Sequence, residues 1–312
     1  MKLEPPQRKI LRMKRTLLFT LLATSLALGC RKKEAGGDGA ARDDGKSVSI
    51  QNIGSDTMVN LAQAWAEAYS KDHPKISVEV SGGGSGVGIA ALLNGTADIA
   101  NASRQLEPAE VEKATKQSGK HPTEHIVGFD GLAIYVHKDN PLDQISIEEL
   151  SEIYREGGKI NKWSELGVTS IPGAKGDEIV RVSRQNNSGT YHYFREHVVG
   201  KKNDFKQGSL DMNGSKDVVE LVGRTPNAIG YSGLGYATGA VKFIKVSKVK
   251  GEPGVVPSNT TILDKTYPIA RPMFMYTPGS PPAHVMDYLA WIAGPEGQKI
   301  VEQTGYVPTP KK

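Results

Sequence analysis

One local pattern occurs three times in this chain: a strand, a turn of glycine and hydroxyl residues, and a helix start. The copies are Gly54-Ser55-Asp56-Thr57, Gly84-Ser85-Gly86 and Asn187-Ser188-Gly189-Thr190. Strands that pass so directly into helices force a layered architecture, because each element must bury one apolar face against the other. The hydrophobic spacing extends this alternation along the chain. It predicts strands over 48–53, 76–80, 97–100, 124–137, 179–183, 228–231 and 267–276, and helices over 58–69, 89–94, 107–117, 147–154, 189–199, 218–222 and 285–293. The implied class is α/β with largely parallel sheets.

The turns also carry chemistry. A helix start leaves backbone N–H groups unpaired and a partial positive charge. Glycine lets a ligand approach that backbone, and Ser or Thr adds a hydroxyl donor, so an oxyanion is the natural guest. Any single copy is better read as an ordinary N-cap, and Asp56 as a cap or turn residue. Three copies in one chain favour a shared site. Arg184 lies four residues before Ser188 at a strand end, where its planar fork would suit tetrahedral oxygens. As an anion ligand free of structural duty, it would weaken binding on truncation without affecting the stability of the ligand-free fold. Three to five charge-assisted bonds at ~1.5–3 kcal/mol each would cover desolvation, leaving the ~8 kcal/mol of a micromolar complex.

Other motifs are weaker. Gly86-Val87-Gly88-Ile89-Ala90-Ala91 fits a dinucleotide turn, and Glu107 stands roughly where a ribose acid would be, but Gly95 cuts the helix to two turns. No Gly-Lys-Ser/Thr follows the glycines, and neither Ser85 nor Ser188 sits in a GxSxG elbow. Pro122 separates His121 from His125, and His192 and His197 are five apart, which suits a helix surface better than a metal pair. Tyr191, Phe194 and Val198 form a core stripe. No cofactor, metal centre or catalytic residue is expected.

The N-terminus describes export. Lys9, Arg12, Lys14 and Arg15 precede the apolar run Leu17 to Leu28, which ends at Gly29-Cys30. This is a secretory signal over residues 1–29, with Met13 as a possible true start. Ala27-Leu28-Gly29-Cys30 resembles the lipobox of bacterial lipoproteins, in which the thiol takes a diacylglycerol, although Ala27 replaces the usual Leu. The alternative is a plain cleaved signal with a free thiol. Cys30 is the only cysteine, so an intrachain disulfide is impossible. Residues 30–46 are a polar tether without apolar periodicity. Without the six Lys/Arg and one Glu of residues 1–29, the chain's 39 basic and 34 acidic residues become 33 of each. The basic pI therefore belongs to the signal, and nucleic acid is not an expected partner.

In order along the chain, GSDT, SGGGSGVG, ADIANASR, FDGLAIYVHKDNPL, GKINKW, RQNNSGT, AIGYSGLGY, YPIARPMFMY and GPEGQ…GYVP resemble the phosphate-binding lipoproteins of phosphate-specific ABC importers. The resemblance implies a type II periplasmic-binding-protein fold: two α/β lobes joined by two crossover strands, with the ligand in the cleft. It places lobe I over 47–129 and 240–312 and lobe II over 130–239, with crossings near Asp130 and Gly239. It implies inorganic phosphate as ligand, held by Thr57 and Ser85 from one lobe and by Arg184, Ser188, Gly189 and Thr190 from the other, with Ser55 a neighbour. Some members carry an aspartate after the ADIA-like strand that accepts the phosphate's proton; Ser103 stands there instead, followed by Arg104. Another acceptor, Asp56 or a main-chain carbonyl, is then needed to reject sulfate, and Arg104 is expected to pair with an acid of the opposite lobe, the alternative being further positive charge for the site. The implied protein is a monomeric, lipid-anchored receptor in the periplasm or on the cell surface that serves an ABC permease. The alternatives are a receptor for another oxyanion, such as sulfate or molybdate, and a phosphate sensor or phosphatase-like protein.

Overall fold

The computed structural model describes residues 47–310. The signal, the tether and Cys30 lie outside the described residues. In chain order the first elements are β1 (Val48–Gly54), α1 (Val59–Asp72), β2 (Ile76–Ser81), α2 (Ser85–Leu93), β3 (Ile99–Ala102) and α3 (Pro108–Ser118). Next come β4 (Thr123–His137), β5 (Gln144–Ser146), α4 (Ile147–Tyr154), β6 (Val180–Arg184), α5 (Gly189–Phe194), β7 (Leu210–Met212), α6 (Ser215–Arg224) and β8 (Ala228–Gly233). The chain then runs through β9 (Val241–Phe243), β10 (Lys245–Ser247), α7 (Asn259–Leu263), β11 (Ala270–Thr277), α8 (Ala283–Ala293) and α9 (Pro295–Gln303).

The strands order as β2-β1-β3-β11-β4-β8-β6-β7, with β9 also on β4. Pairing is parallel at both flanks, β1 with β2 and β3, and β6 with β7 and β8. It is antiparallel through the centre, where β11 meets β3 and β4, and β4 meets β8 and β9. The expectation of largely parallel sheets therefore holds for the flanks only, because two long central strands run against their neighbours. The 15-residue β4 spans both halves: Thr123–Gly131 pairs with β11, and Leu132–Val136 with β8.

Each half has its own core. In the first, α1 presents Leu61, Trp65 and Tyr69 to Ile50, Met273, Tyr288 and Val301. Fully burying such a side chain contributes roughly 1.5–3 kcal/mol, and the Trp65 indole also donates to Gly297 O at 2.8 Å. In the second, Leu132, Tyr154, Trp163, Phe194 and Tyr231 pack together, and the Phe194 and Tyr231 rings stack 3.8 Å apart. Phe194 and Val198 of the predicted core stripe are buried there, while Tyr191 is half-buried. The helix expected over 189–199 ends as α at Phe194 and continues as a π-helical turn, Arg195–Gly200.

Strands β9 and β10 lie beyond Gly239, yet β9 pairs with the distal part of β4 and β10 with β5. The chain rejoins the first half's ladder only at β11, some thirty residues after the expected second crossing. Among the described residues no helix is long and apolar enough to cross a membrane.

Candidate functional site

The three glycine–hydroxyl turns sit at the carboxyl ends of parallel strands, where ligands of open α/β sheets bind. The first follows β1. Gly54 there has φ of +147°, and a Cβ would stand 2.1 Å from Asn101 O, so only glycine allows β1 to end against β3. This fixes Ser55 N–H on Asn101 O at 2.9 Å. Tyr236 and Tyr306 hydroxyls donate to the carbonyls of Asp56 and Thr57 at 2.5 and 2.6 Å, clamping the same turn. Burial pushes the Tyr236 phenol up to about 12, so it stays a donor.

The second turn opens α2 at Ser85, four residues before the predicted helix. One first-turn donor, Gly86 N–H, is satisfied by Asn187 O at 3.0 Å, and Asn187 Nδ2 returns a bond to Gly83 O at 2.9 Å. A cap supplied from a segment a hundred residues away leaves no local signal. The third turn opens α5, where the Ser188 hydroxyl accepts from Thr190 N at 3.2 Å and Tyr191 N at 3.4 Å. Ser188 is thus an N-cap that keeps its own hydroxyl hydrogen for donation.

The turns meet. Ser55, Thr57, Ser85, Ser103, Arg184, Ser188 and Thr190 are all at most 1 % exposed. Ser55 Oγ donates to Ser103 Oγ at 2.9 Å, Ser103 N donates to Ser85 Oγ at 3.0 Å, and the Ser85 and Ser103 hydroxyls lie 3.4 Å apart. Thr57 and Thr190, from opposite halves, have hydroxyls 2.9 Å apart. Gly189 presses on the serines so closely that a Cβ would stand 2.3 Å from Ser85 Oγ and 2.6 Å from Ser103 Oγ.

Two buried guanidinium groups belong to the same turns: Arg271 touches the threonine hydroxyls, and Arg184 bonds Asp56 beside Thr57. Arg184 donates to Ser215 Oγ at 3.0 Å, Asn213 O at 2.9 Å and Asp56 Oδ2 at 3.1 Å, while its Nε is buried without a partner. Burial lowers its hold on a proton, and the nearby Arg271 charge adds to that, against Asp56 and two phenols; a guanidinium remains charged nonetheless. Asp56 does not cap α1: its other oxygen accepts from Gly83 N at 2.9 Å. Arg104 pairs with Glu110 of the adjacent helix α3, through two bonds of 2.8 Å, and not with an acid of the opposite half. Burial pushes the Glu110 carboxyl up, but the Arg104 bonds and charge and the Glu107 amide outweigh it and hold it below the usual range.

Sequence reasoning passes over Arg271. It lies on β11, 2 % exposed, in contact with Asp130 of β4, Thr190 and Thr57. The available signal is one cation and one anion, each with apolar residues or glycine on both sides in a long strand. The histidine pairs form no site: His125 faces Thr277, and His192 bonds Asn186 O. Among the described residues no group of three or more His, Cys, Asp or Glu could hold a metal.

Residues 38–296 match the model of the PBP superfamily domain. The phosphate-binding protein PstS of Pseudomonas aeruginosa is 33% identical over 86% of this chain and 85% of its own length. The chain belongs to the PstS family of the PBP superfamily. PstS of Staphylococcus saprophyticus is 30% identical over 96% of this chain and 92% of its own. Among solved structures, a substrate-binding protein of Clostridium perfringens with bound phosphate is 29% identical, with a TM-score of 0.74 over 84% of this chain and 100% of that one. An ABC-type phosphate transport receptor of Vibrio cholerae is 28% identical, with a TM-score of 0.65 over the same shares. The architecture is accordingly the two-lobed type II fold, with β4 passing between the halves and the chain returning to the first half at the start of β11.

Proposed function

We propose that this chain is a non-catalytic extracytoplasmic receptor that captures inorganic phosphate between its lobes and delivers it to an ABC permease. One observation carries the reading: hydroxyls from turns as far apart as Thr57 and Thr190 lie 2.9 Å from each other, both buried, and Arg184, which bonds Asp56 next to Thr57, keeps a buried Nε donor without a partner. A tetrahedral anion would replace the hydroxyl–hydroxyl bonds with charge-assisted ones, each worth about 1.5–3 kcal/mol. In this reading the ligands are Thr57, Ser85, Ser103, Arg184, Ser188, Gly189 and Thr190, with Ser55 orienting Ser103. Ser103 can both donate and accept, and it shares with Asp56 the task of receiving the proton of hydrogen phosphate.

The ladder supports lobes of residues 47–130 with 270–310, and 131–269, rather than a return at Gly239. Cys30 is the proposed lipid-anchoring residue, holding a monomer at the outer face of a bacterial membrane. Isothermal titration tests the receptor reading. Phosphate should bind one per chain at micromolar affinity or better, and sulfate at least about tenfold more weakly, the cost of one unpaired group. Sulfate binding as tightly as phosphate would overturn the selectivity, and no oxyanion binding would overturn the site. A chromogenic phosphomonoester should not be turned over.

A further inference from the structure

We infer that Arg271 is a positioning residue for the anion: it points a donor at Thr190 Oγ1 and, at longer range, at Thr57 Oγ1, and so biases both hydroxyls toward donating. The inference rests on the receptor reading above. Arg271 Nη2 donates to Thr190 Oγ1 at 3.0 Å and lies 3.5 Å from Thr57 Oγ1. A hydroxyl has one hydrogen and two lone pairs. When an N–H⁺ points at the oxygen from one side, the hydrogen must turn to the other. Between the two threonines, 2.9 Å apart, one hydrogen bridges to the partner hydroxyl, and the second is left for an acceptor. An anion entering between them receives both.

The guanidinium is held in place by contacts on its other sides. Nε and Nη2 reach the same Asp130 oxygen at 3.1 and 2.8 Å, and Nη1 donates to Ser103 O at 3.1 Å. The other Asp130 oxygen accepts Leu234 N at 3.0 Å. The Tyr193 ring lies 5.3 Å from the guanidinium carbon on a further side. Both charges are buried, at 2 % and 0 % exposure. Asp130 cancels the charge of Arg271, so the pair orients the threonine dipoles without adding a net charge of its own. Such a buried pair is costly to assemble relative to apolar residues, and directing donor polarity gives it a purpose. Two threonines biased toward donating favour the bare oxygens of the phosphate dianion over the protonated oxygens of the monoanion, which need acceptors.

A double-mutant cycle read by phosphate titration tests this. The Arg271→Met/Asp130→Asn variant removes both charges together and leaves no uncompensated ion. Thr190→Val should weaken phosphate binding by about tenfold in the wild-type background, the loss of one charge-assisted bond. In the paired variant it should cost less than about twofold, because an undirected hydroxyl no longer favours the anion. The rise in affinity across the second ionisation of phosphate should be steep in the wild type and flattened in the paired variant. If the paired variant does not fold, Arg271→Lys keeps the charge but cannot reach Asp130 and both threonines at once, and it should show the same uncoupling. An equal cost of Thr190→Val in both backgrounds, or an unchanged pH profile, would overturn the inference. A wild-type protein that binds no phosphate would instead overturn the receptor reading, and this inference with it.

Discussion

Arg184→Ala should weaken phosphate binding by about ten- to a hundredfold, as expected for one charge-assisted bond of ~1.5–3 kcal/mol. It should also lower the thermal midpoint of the ligand-free protein. The second effect departs from what the sequence suggests, where Arg184 looks like a ligand without structural duty. The side chain is 1 % exposed and holds together Asp56 of the first half with Ser215 and Asn213 of the second. Removing it strands a carboxylate that is 14 % exposed. Breaking a buried pair costs roughly 3–5 kcal/mol, and the residual exposure of Asp56 puts this case near the lower figure. At ~2–4 °C per kcal/mol for a domain of this size, the midpoint should fall by about 6–12 °C. Calorimetry without phosphate reads one effect and titration the other. An unchanged midpoint would mean that the Asp56 contact is energetically empty, and unchanged affinity would remove Arg184 from the site.

Gly189→Ala should shift the balance of effects toward binding: phosphate binding nearly abolished, with a smaller fall in the thermal midpoint than Arg184→Ala. A Cβ at this position would stand 2.3 Å from Ser85 Oγ and 2.6 Å from Ser103 Oγ, well inside contact distance. The clash is between the two halves, not within one. It is relieved when the lobes stay about an ångström apart, which pulls the serines away from Ser188 and Thr190. Losing two charge-assisted bonds lowers affinity by two orders of magnitude or more, at ~1.5–3 kcal/mol per bond. Within each lobe, alanine at the start of α5 is a better helix residue than glycine, by up to ~1 kcal/mol. Titration and thermal melts of the one variant check both statements. Wild-type affinity in Gly189→Ala would show that the lobes need not approach as closely as they do here.

Much of this arrangement is legible in the sequence because it is local. The alternating run that starts at Val48 and the Leu61–Trp65 stripe mark β1 and α1 nearly to the residue, and β4 is recognisable from its long apolar run. The hydroxyl turns stand out because helix starts have a chemistry that residue type alone discloses. What escapes depends on tertiary contact. The three-residue strands β5, β7, β9 and β10 are too short for alternation to register. The antiparallel centre of the sheet follows from which strands cross between lobes, and no local spacing encodes that. The site's ionic partners are equally remote: Asp56 lies 128 residues from Arg184, and Asp130 lies 141 from Arg271. For Arg104 the sequence suggests a partner across the cleft, whereas Glu110, six residues on, already serves it on the adjoining helix.

A crystal structure of the phosphate complex should show one tetrahedral anion whose oxygens lie within ~2.5–3.2 Å of the Thr57, Ser85 and Thr190 hydroxyls and of Arg184 at the same time. Phosphate seated on an outer face, with the threonine hydroxyls still bonded to each other, would contradict a site shared by the three turns.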